Sequence, residues 1–207
     1  LNVNSLSSIE YFRKQAKALT RSVAAADAEA LRRIEKYLKA SSSRGLTNCQ
    51  YVIAREHGFS KWEDLVQADD IERRLAITMD REPVLNDHGL GIWDGHLKRP
   101  PDERARILQD DRCQLRENVK DVRRTLEWLL ANLPPAKTLR RPVGSYRLKH
   151  VAEGDIGYIT NGVFIAAGLI AGYPHRFYDE PNLSFGVSVR ALKAIDARQE
   201  AAGTRCF

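Results

Sequence analysis

The sequence predicts a mostly α protein, α-rich α+β, in which an N-terminal helical bundle and a long central helix precede a C-terminal helical lobe with one small β-hairpin. Three observations predict it. Apolar residues recur at spacings of three and four over most of the chain, the period of helices that bury one face. Residues 175–189, HRFYDEPNLSFGVSV, instead alternate on a period of two about a turn, the pattern of a hairpin. Proline and glycine concentrate in 83–101 and 134–144, which divides the helical pattern into blocks.

With 207 residues, 43% hydrophobic and 29% charged, the chain has the balance of a soluble globular protein and can bury one good core or two modest ones. No cationic segment followed by an apolar one is present at the start, so no secretory signal is expected. The most apolar stretch is YITNGVFIAAGLIAGY, residues 158–173. Its continuous apolar part, Val163 to Ala171, is about half of the ~20 residues that span a bilayer, so a buried helix and no membrane partner are expected. Cys49, Cys113 and Cys206 are scattered and form no CxxC pair; a reducing cytoplasm is expected, without a disulfide framework or zinc knuckle.

The N-terminal module is expected over residues 1–68. Ser7 or Ser8 can cap a first helix whose Ile9, Phe12, Ala16 and Leu19 share a face. Asp27 caps a second, with Ala30, Leu31, Ile34 and Leu38 as its stripe, and SSSRG, residues 41–45, is a loop. LTNCQYVIAREHGFSKWEDLVQ then reads as two short helices about a tight turn. His57 belongs at a helix C-terminus and Gly58 in a left-handed C-cap, while Ser60 caps the next helix with Glu63 completing a capping box. Ala54, Gly58 and Ser60 also fit the small, turn and cap positions of a helix-turn-helix. That second helix would lead with Trp62, Glu63 and Asp64, and carboxylates facing phosphates are unfavourable, so a bundle role is expected instead. Within residues 9–67, QYVIAREHGFSKWEDLV resembles a small helical module of bacterial proteins that precedes ankyrin repeats or occurs in glyoxalase-related proteins. Ala54, Gly58, Phe59, Trp62 and Leu65 match its pattern, while Lys61 stands where a small residue is commoner. The resemblance implies packing, with Phe59 and Trp62 as core wedges.

Residues 69–103 read as an ordered linker or loop that opens with an acidic helix, Asp70 to Met79. Pro83, Gly89, Gly91, Gly95, Pro100 and Pro101 break its periodicity, and Leu90, Ile92 and Trp93 argue that it packs. His88 and His96 with Asp87 and Asp94 match no standard zinc or iron spacing and read as surface polar residues. The three glycines form no dinucleotide fingerprint, so no cofactor is expected.

The C-terminal lobe is expected over 104–207. Ile107, Leu108, Leu115, Val119, Val122, Leu126, Leu129 and Leu130 line one face of a helix from Arg104 to Leu133, about 40 Å or more if unbroken, with a kink or split allowed near Asp110. Such a stripe needs cover, from the N-terminal bundle or from a second copy in a homodimer. Pro134 and Pro135 stop the helix, and Pro142 and Gly144 shape a loop. Ser145 caps a helix from Tyr146 to Gly154, and Thr160 or Asn161 caps a buried helix, Val163 to Ala171, ended by Gly172. The hairpin turns at Glu180–Asn182 into a strand from Ser184 to Val189, and Ser188 caps a last helix, Val189 to Gln199.

Four residues of this lobe, Tyr146, Lys149, His150 and Glu153, lie three and four apart and share one helix face. They could form a structural polar network, bind a ligand or partner, or perform acid–base chemistry, with His150 and Glu153 as the general-base pair and Tyr146 beside them. No nucleophile motif or metal triad accompanies them. Asn161 is expected to fix His150 or Glu153 by a buried hydrogen bond. The flanking segments, from KTLRRPVGSYRLKHVAEGDIGYITNGVFIAAGLIAGYPHRF to PNLSFGVS, resemble a family of uncharacterised proteins of bacterial plasmids and integrative elements. Ser145, Tyr146, Leu148, Lys149, His150, Glu153, Tyr158, Asn161, Gly162, Phe164, Ile165, Pro181 and Asn182 fit its pattern, and Arg147 and Leu183 depart from it. The resemblance implies a mobile-element context and no particular activity.

Charge is uneven. Residues 112–150 hold ten basic and three acidic groups, against a net charge of +6 for the whole chain. Arg116, Lys120, Arg123 and Arg124 occupy one side of the long helix, and Lys137, Arg140, Arg141, Arg147 and Lys149 follow it. A solvated helix face is the ordinary outcome of such a run. If the groups converge, they track phosphate, with Tyr146 free to stack on a base. The expectation is therefore a non-enzymatic cytoplasmic binding or accessory protein of a bacterial mobile element, using this surface on nucleic acid or an acidic protein. An enzyme centred on His150 and Glu153 and a structural dimer are the alternatives.

Overall fold

The computed structural model describes residues 8–39, 42–92, 94–179 and 181–203; Ser7, Trp93, Glu180 and Cys206 lie outside them. Ten α-helices and two small antiparallel sheets account for the regular structure of the described residues, so the mostly α class holds. The chain separates into two compact units after Asp80.

The first unit holds α1 (Ser8–Ala24), α2 (Ala28–Tyr37), α3 (Leu46–Glu56), α4 (Trp62–Gln67) and most of α5 (Asp70–Arg81). Phe12, Ala16, Leu19 and Val23 recur on α1 at helical spacing and are buried with Ala30 and Ile34 of α2 and Val52 and Ile53 of α3. Asp27 caps α2 as expected, accepting from the Ala30 amide at 2.8 Å. Gly58 has φ +89, the left-handed turn that the sequence implies, and Phe59 and Trp62 pack partly buried against the core. Ser60 does not cap α4: the N-cap is Lys61, with no side-chain hydrogen bond. With six residues and Glu63 and Asp64 in its first turn, α4 is a packing element around buried Leu65. His57 does end α3; its Nδ1 donates to the Ile53 carbonyl at 2.8 Å, which turns Nε2 toward Asp80 Oδ1 at 3.5 Å. His57, with Tyr11 and Gln15, holds the Asp80 carboxyl well below the usual range despite its partial burial.

The second unit begins within the stretch expected to be a linker. After Arg81 come β1 (Leu85–Asn86) and β2 (Gly89–Leu90), a tight hairpin, and then a 3-10 turn at Asp94–His96. The expected long helix is two: α6 (Pro101–Glu117) and α7 (Val119–Asn132), broken at Asn118 and continuous through Asp110. The Asn118 side chain donates to Asp87 Oδ1 at 2.8 Å, which fixes the break where a polar anchor is needed. β3 (Val143–Gly144) leads into α8 (Ser145–Ile156), followed by α9 (Asn161–Ile170), the hairpin β4 (His175–Asp179) and β5 (Asn182–Phe185), and α10 (Val189–Ala202). β5 is the central strand of a three-stranded sheet, Val143 facing Phe185 on one side and Phe177 facing Leu183 on the other. It stops at Phe185 because Gly186 and Ser188 pair instead with the loop after α7, through Ala136 and Pro134.

α9 is the core of this unit. Every residue from Asn161 to Gly168 is buried, chiefly between α7 and α8, and no helix among the described residues is long and apolar enough to cross a membrane. Thr160 caps it through the Val163 amide at 3.2 Å. The leucine stripe expected along this stretch is largely covered: Leu115 of α6 and Leu126 and Leu129 of α7 are buried, while Leu130 is largely exposed. Tyr173 closes the C-terminal end of α7, donating to the Leu129 and Leu133 carbonyls at 3.1 and 2.5 Å. Gln199 of α10 donates to the Val151 carbonyl and Asp155 of α8, and Ser188 caps α10 as expected.

Backbone approaches backbone closely at Gly162, whose amide donates to the Asp87 carbonyl at 2.9 Å; a Cβ there would fall 1.9 Å from the Asn86 carbonyl oxygen. Gly162→Ala should lower stability by about 3 kcal/mol, because backbone on both sides must move. Chemical denaturation of the variant checks this, and an unchanged midpoint would contradict it.

Candidate functional site

Tyr146, Lys149, His150 and Glu153 do share one face of α8, and three of them are bonded together. Glu153 accepts from Lys149 Nζ at 2.8 Å and from the Ile159 amide at 3.2 Å through Oε1, and from His150 Nδ1 at 2.7 Å through Oε2. The Lys149 and Glu153 side chains are only 8% and 7% exposed, so this ion pair lies inside the protein. Lys149 Nζ also sits 5.5 Å from the Tyr146 ring centre and 5.1 Å from that of Tyr158. The Tyr146 and His150 rings meet edge to face at 4.6 Å. Burial pushes the Glu153 carboxyl up, but Lys149, the Ile159 amide and His150 outweigh it and leave it below the ordinary glutamate value.

The bond to Ile159 shows what the network does. It fastens the turn between α8 and α9, in which Gly157 has φ +77. Asn161 takes no part: its Nδ2 faces the His88 carbonyl, the Pro181 carbonyl and Asn182 Oδ1, each at 3.3 Å, rather than His150 or Glu153. The hydrogen bond expected from Asn161 to the α8 face is therefore replaced by contacts with two turns.

The basic residues separate into two groups. Arg124 donates to the Ile156 and Tyr158 carbonyls at 2.6 and 3.2 Å and to Asp121 at 3.0 Å, so it staples α7 to the end of α8. Arg147 pairs with Asp196 of α10 at 3.0 Å, and Lys149 is the buried partner of Glu153. Arg116 is partly buried. Lys120, Arg123, Lys137, Arg140 and Arg141 are exposed. Lys120 and Arg123 lie near the start of α7 and the other three follow its far end, with roughly 18 Å of helix between Lys120 and Asn132. The block that is continuous in sequence is thus two clusters at the ends of one helix.

The β1–β2 turn is a further part of this region that the sequence patterns do not single out. Asn86 is fully buried, and Asp87, expected to be a surface polar residue, is nearly so. Asn86 Nδ2 donates to the Val84 and Gly91 carbonyls, and its Oδ1 accepts from the His88 amide. Asp87 Oδ1 accepts from Asn118 and from Thr160 Oγ1 at 3.0 Å, so the carboxylate that could have been a metal ligand is spent on structure. The available signal was the segment LNDHGL, two apolar residues about an Asn-Asp-His-Gly turn. This turn, the 3-10 turn at Asp94–His96, the first turn of α8, the start of α9 and the start of β5 surround a cavity of about 500 Å³ lined by His88, His96, Tyr146, Asn161, Pro181 and Asn182. Tyr146 is its link to the α8 network; His150 and Glu153 do not line it.

Replacing Glu153 with Gln strands the Lys149 ammonium in a buried site and should cost about 3–5 kcal/mol at neutral pH. The folded carboxyl titrates below its unfolded value, so its stabilisation is complete above the ordinary glutamate range and is lost as pH falls through the folded value. Denaturation midpoints of wild type and Glu153→Gln should therefore converge in acid. A constant difference across the titration would contradict this.

Comparison of the chain with protein-family models, with curated proteins and with solved structures gave no match.

Proposed function

We propose that this chain is a non-enzymatic binding protein whose second unit engages nucleic acid through its exposed basic side chains. One observation carries the reading: Lys120, Arg123, Lys137, Arg140 and Arg141 are exposed along a segment with few acids. Two exposed tyrosines, Tyr146 and Tyr158, lie in the same unit and offer ring faces for stacking. The clusters at the two ends of α7 suit an extended polyanion better than a single phosphate. The resemblance to proteins of plasmids and integrative elements supports a role as an accessory factor of a mobile element, acting in the cytoplasm.

Acid–base catalysis centred on His150 and Glu153 is less well supported. Glu153 is committed to three donors, and neither residue reaches the cavity. An acidic protein would satisfy the same cations, and the test separates the two. Single-stranded DNA should bind with affinity that falls steeply with salt. Substituting Lys120, Arg123, Arg140 and Arg141 together by alanine should flatten the salt slope by up to about four contacts. Equal retention of DNA by the wild type and this variant in low salt would exclude the surface, and absence of DNA binding would leave the acidic partner.

A further inference from the structure

We propose that the cavity bounded by His88, Tyr146, Asn161 and Asn182 is a binding site for a nucleobase, an uncharged planar heterocycle with hydrogen-bond donors and acceptors on one edge. Its size is right for a small ligand: about 500 Å³ lies within the usual range for such sites. Its described walls carry no lysine, arginine, aspartate or glutamate, so no described side chain there compensates a full ligand charge. They carry three flat rings, the imidazoles of His88 and His96 and the phenol of Tyr146, and two carboxamides, Asn161 and Asn182. Rings that stack and amides that read a donor–acceptor edge are the two elements by which proteins recognise an unstacked base.

Asn161 is the second observation. It is 6% exposed and lines the cavity, yet its hydrogen bonding is incomplete. Its one amide nitrogen is shared among three acceptors at 3.3 Å, and its buried Oδ1 accepts nothing among the described residues. A buried carbonyl without a donor is costly, and native proteins seldom leave one. Reversing the amide would not help, because it would turn an oxygen toward three acceptors. An incoming N–H that draws on this carboxamide, after a small shift of the side chain, would complete it. The surrounding backbone is fixed: a Cβ on Gly89 would meet the Pro181 carbonyl at 2.3 Å and Asn161 Nδ2 at 2.8 Å, so both turns are held against Asn161. The site is independent of the basic clusters, since none of their five exposed side chains lines it.

The base could be free, as a nucleoside, or part of a strand. Calorimetric titration of the full chain with adenosine, guanosine, cytidine and uridine up to about 1 mM tests the first source. Single-stranded oligonucleotides of equal charge, one with normal bases and one abasic, test the second. Tyr146→Ala is the diagnostic variant, because Tyr146 is 56% exposed and its removal leaves the core intact; Tyr146→Phe retains the ring. A nucleoside that binds wild type and Tyr146→Phe but is weakened at least about fivefold by Tyr146→Ala supports the site. So does a preference for the oligonucleotide with bases that Tyr146→Ala abolishes. Nucleosides that all fail to bind, together with equal affinity for the two oligonucleotides, would overturn it, as would binding that Tyr146→Ala leaves unchanged. Salt-sensitive binding of both oligonucleotides without preference would leave the basic surface standing and remove only the base site.

Discussion

The buried carboxylate of Asp87 is the constraint on which the second unit depends. A charge this far from solvent persists only where donors surround it. Here the donors come from separate parts of the chain: the Asn118 side chain at the junction of α6 and α7, and the Thr160 hydroxyl at the start of α9. The backbone of Asp87 adds two more bonds, its amide to the Asp111 carbonyl and its carbonyl to the Gly162 amide. One residue in a two-strand hairpin thus fixes the position of three helices. The break at Asn118 follows from it, since an uninterrupted helix would leave that side chain to solvent or to its own backbone. Gly162 is required because the hairpin backbone occupies the space of a Cβ.

Electrostatics inside this unit stitches elements together more than it colours the surface. Arg112 donates to the Glu82, Pro83 and Leu85 carbonyls, Arg124 to those of Ile156 and Tyr158, and Arg147 and Lys149 to carboxylates. Guanidinium groups suit this work, because several N–H donors in a fixed fork can satisfy carbonyls that no helix or sheet has used. Asp155 does the complementary service, accepting from Trp128 and Gln199 and pairing with Arg198. Charge density along the sequence therefore overstates the charge that a partner meets.

Several features set by local chemistry are legible in the sequence, although the caps expected at Ser60 and Ser145 do not form: Lys61 and Gly144 hold those positions, and Ser145 Oγ accepts from the Leu183 amide instead. The caps at Asp27, Thr160 and Ser188 and the turn at Gly58 follow from a few neighbouring residues, and all appear in the structure. The apolar run from Val163 was readable as a buried helix by its length alone. The helix break lies at Asn118 and not near Asp110: apolar periodicity continues across Asn118, and the contact with Asp87, 31 residues away, distinguishes that position. Asn161 is buried as its sequence context implies, but its proximity in sequence to α8 does not identify its partners, because the turns at His88 and Pro181 arrive from 73 and 20 residues away. The shared face of α8 was legible from spacing. Whether it opened on a cavity was not, because the cavity walls come from five segments.

The α8 network and the cavity meet at one ring. Tyr146 presents an edge contact to His150 and a face to the Lys149 ammonium, and it also lines the cavity. An exposed tyrosine would ordinarily sample several rotamers, at an entropic cost to any ligand that must hold it in one. Here the ammonium below it is immobile, because Lys149 is locked to Glu153, and Glu153 is locked to the Ile159 amide. The attraction between a fixed cation and the ring face, worth about 0.5–2 kcal/mol, biases the ring toward the orientation that walls the cavity. A buried ion pair that contributes little net stability thus acquires a purpose in positioning. It converts the rigidity of the α8–α9 turn into the rigidity of an exposed aromatic surface.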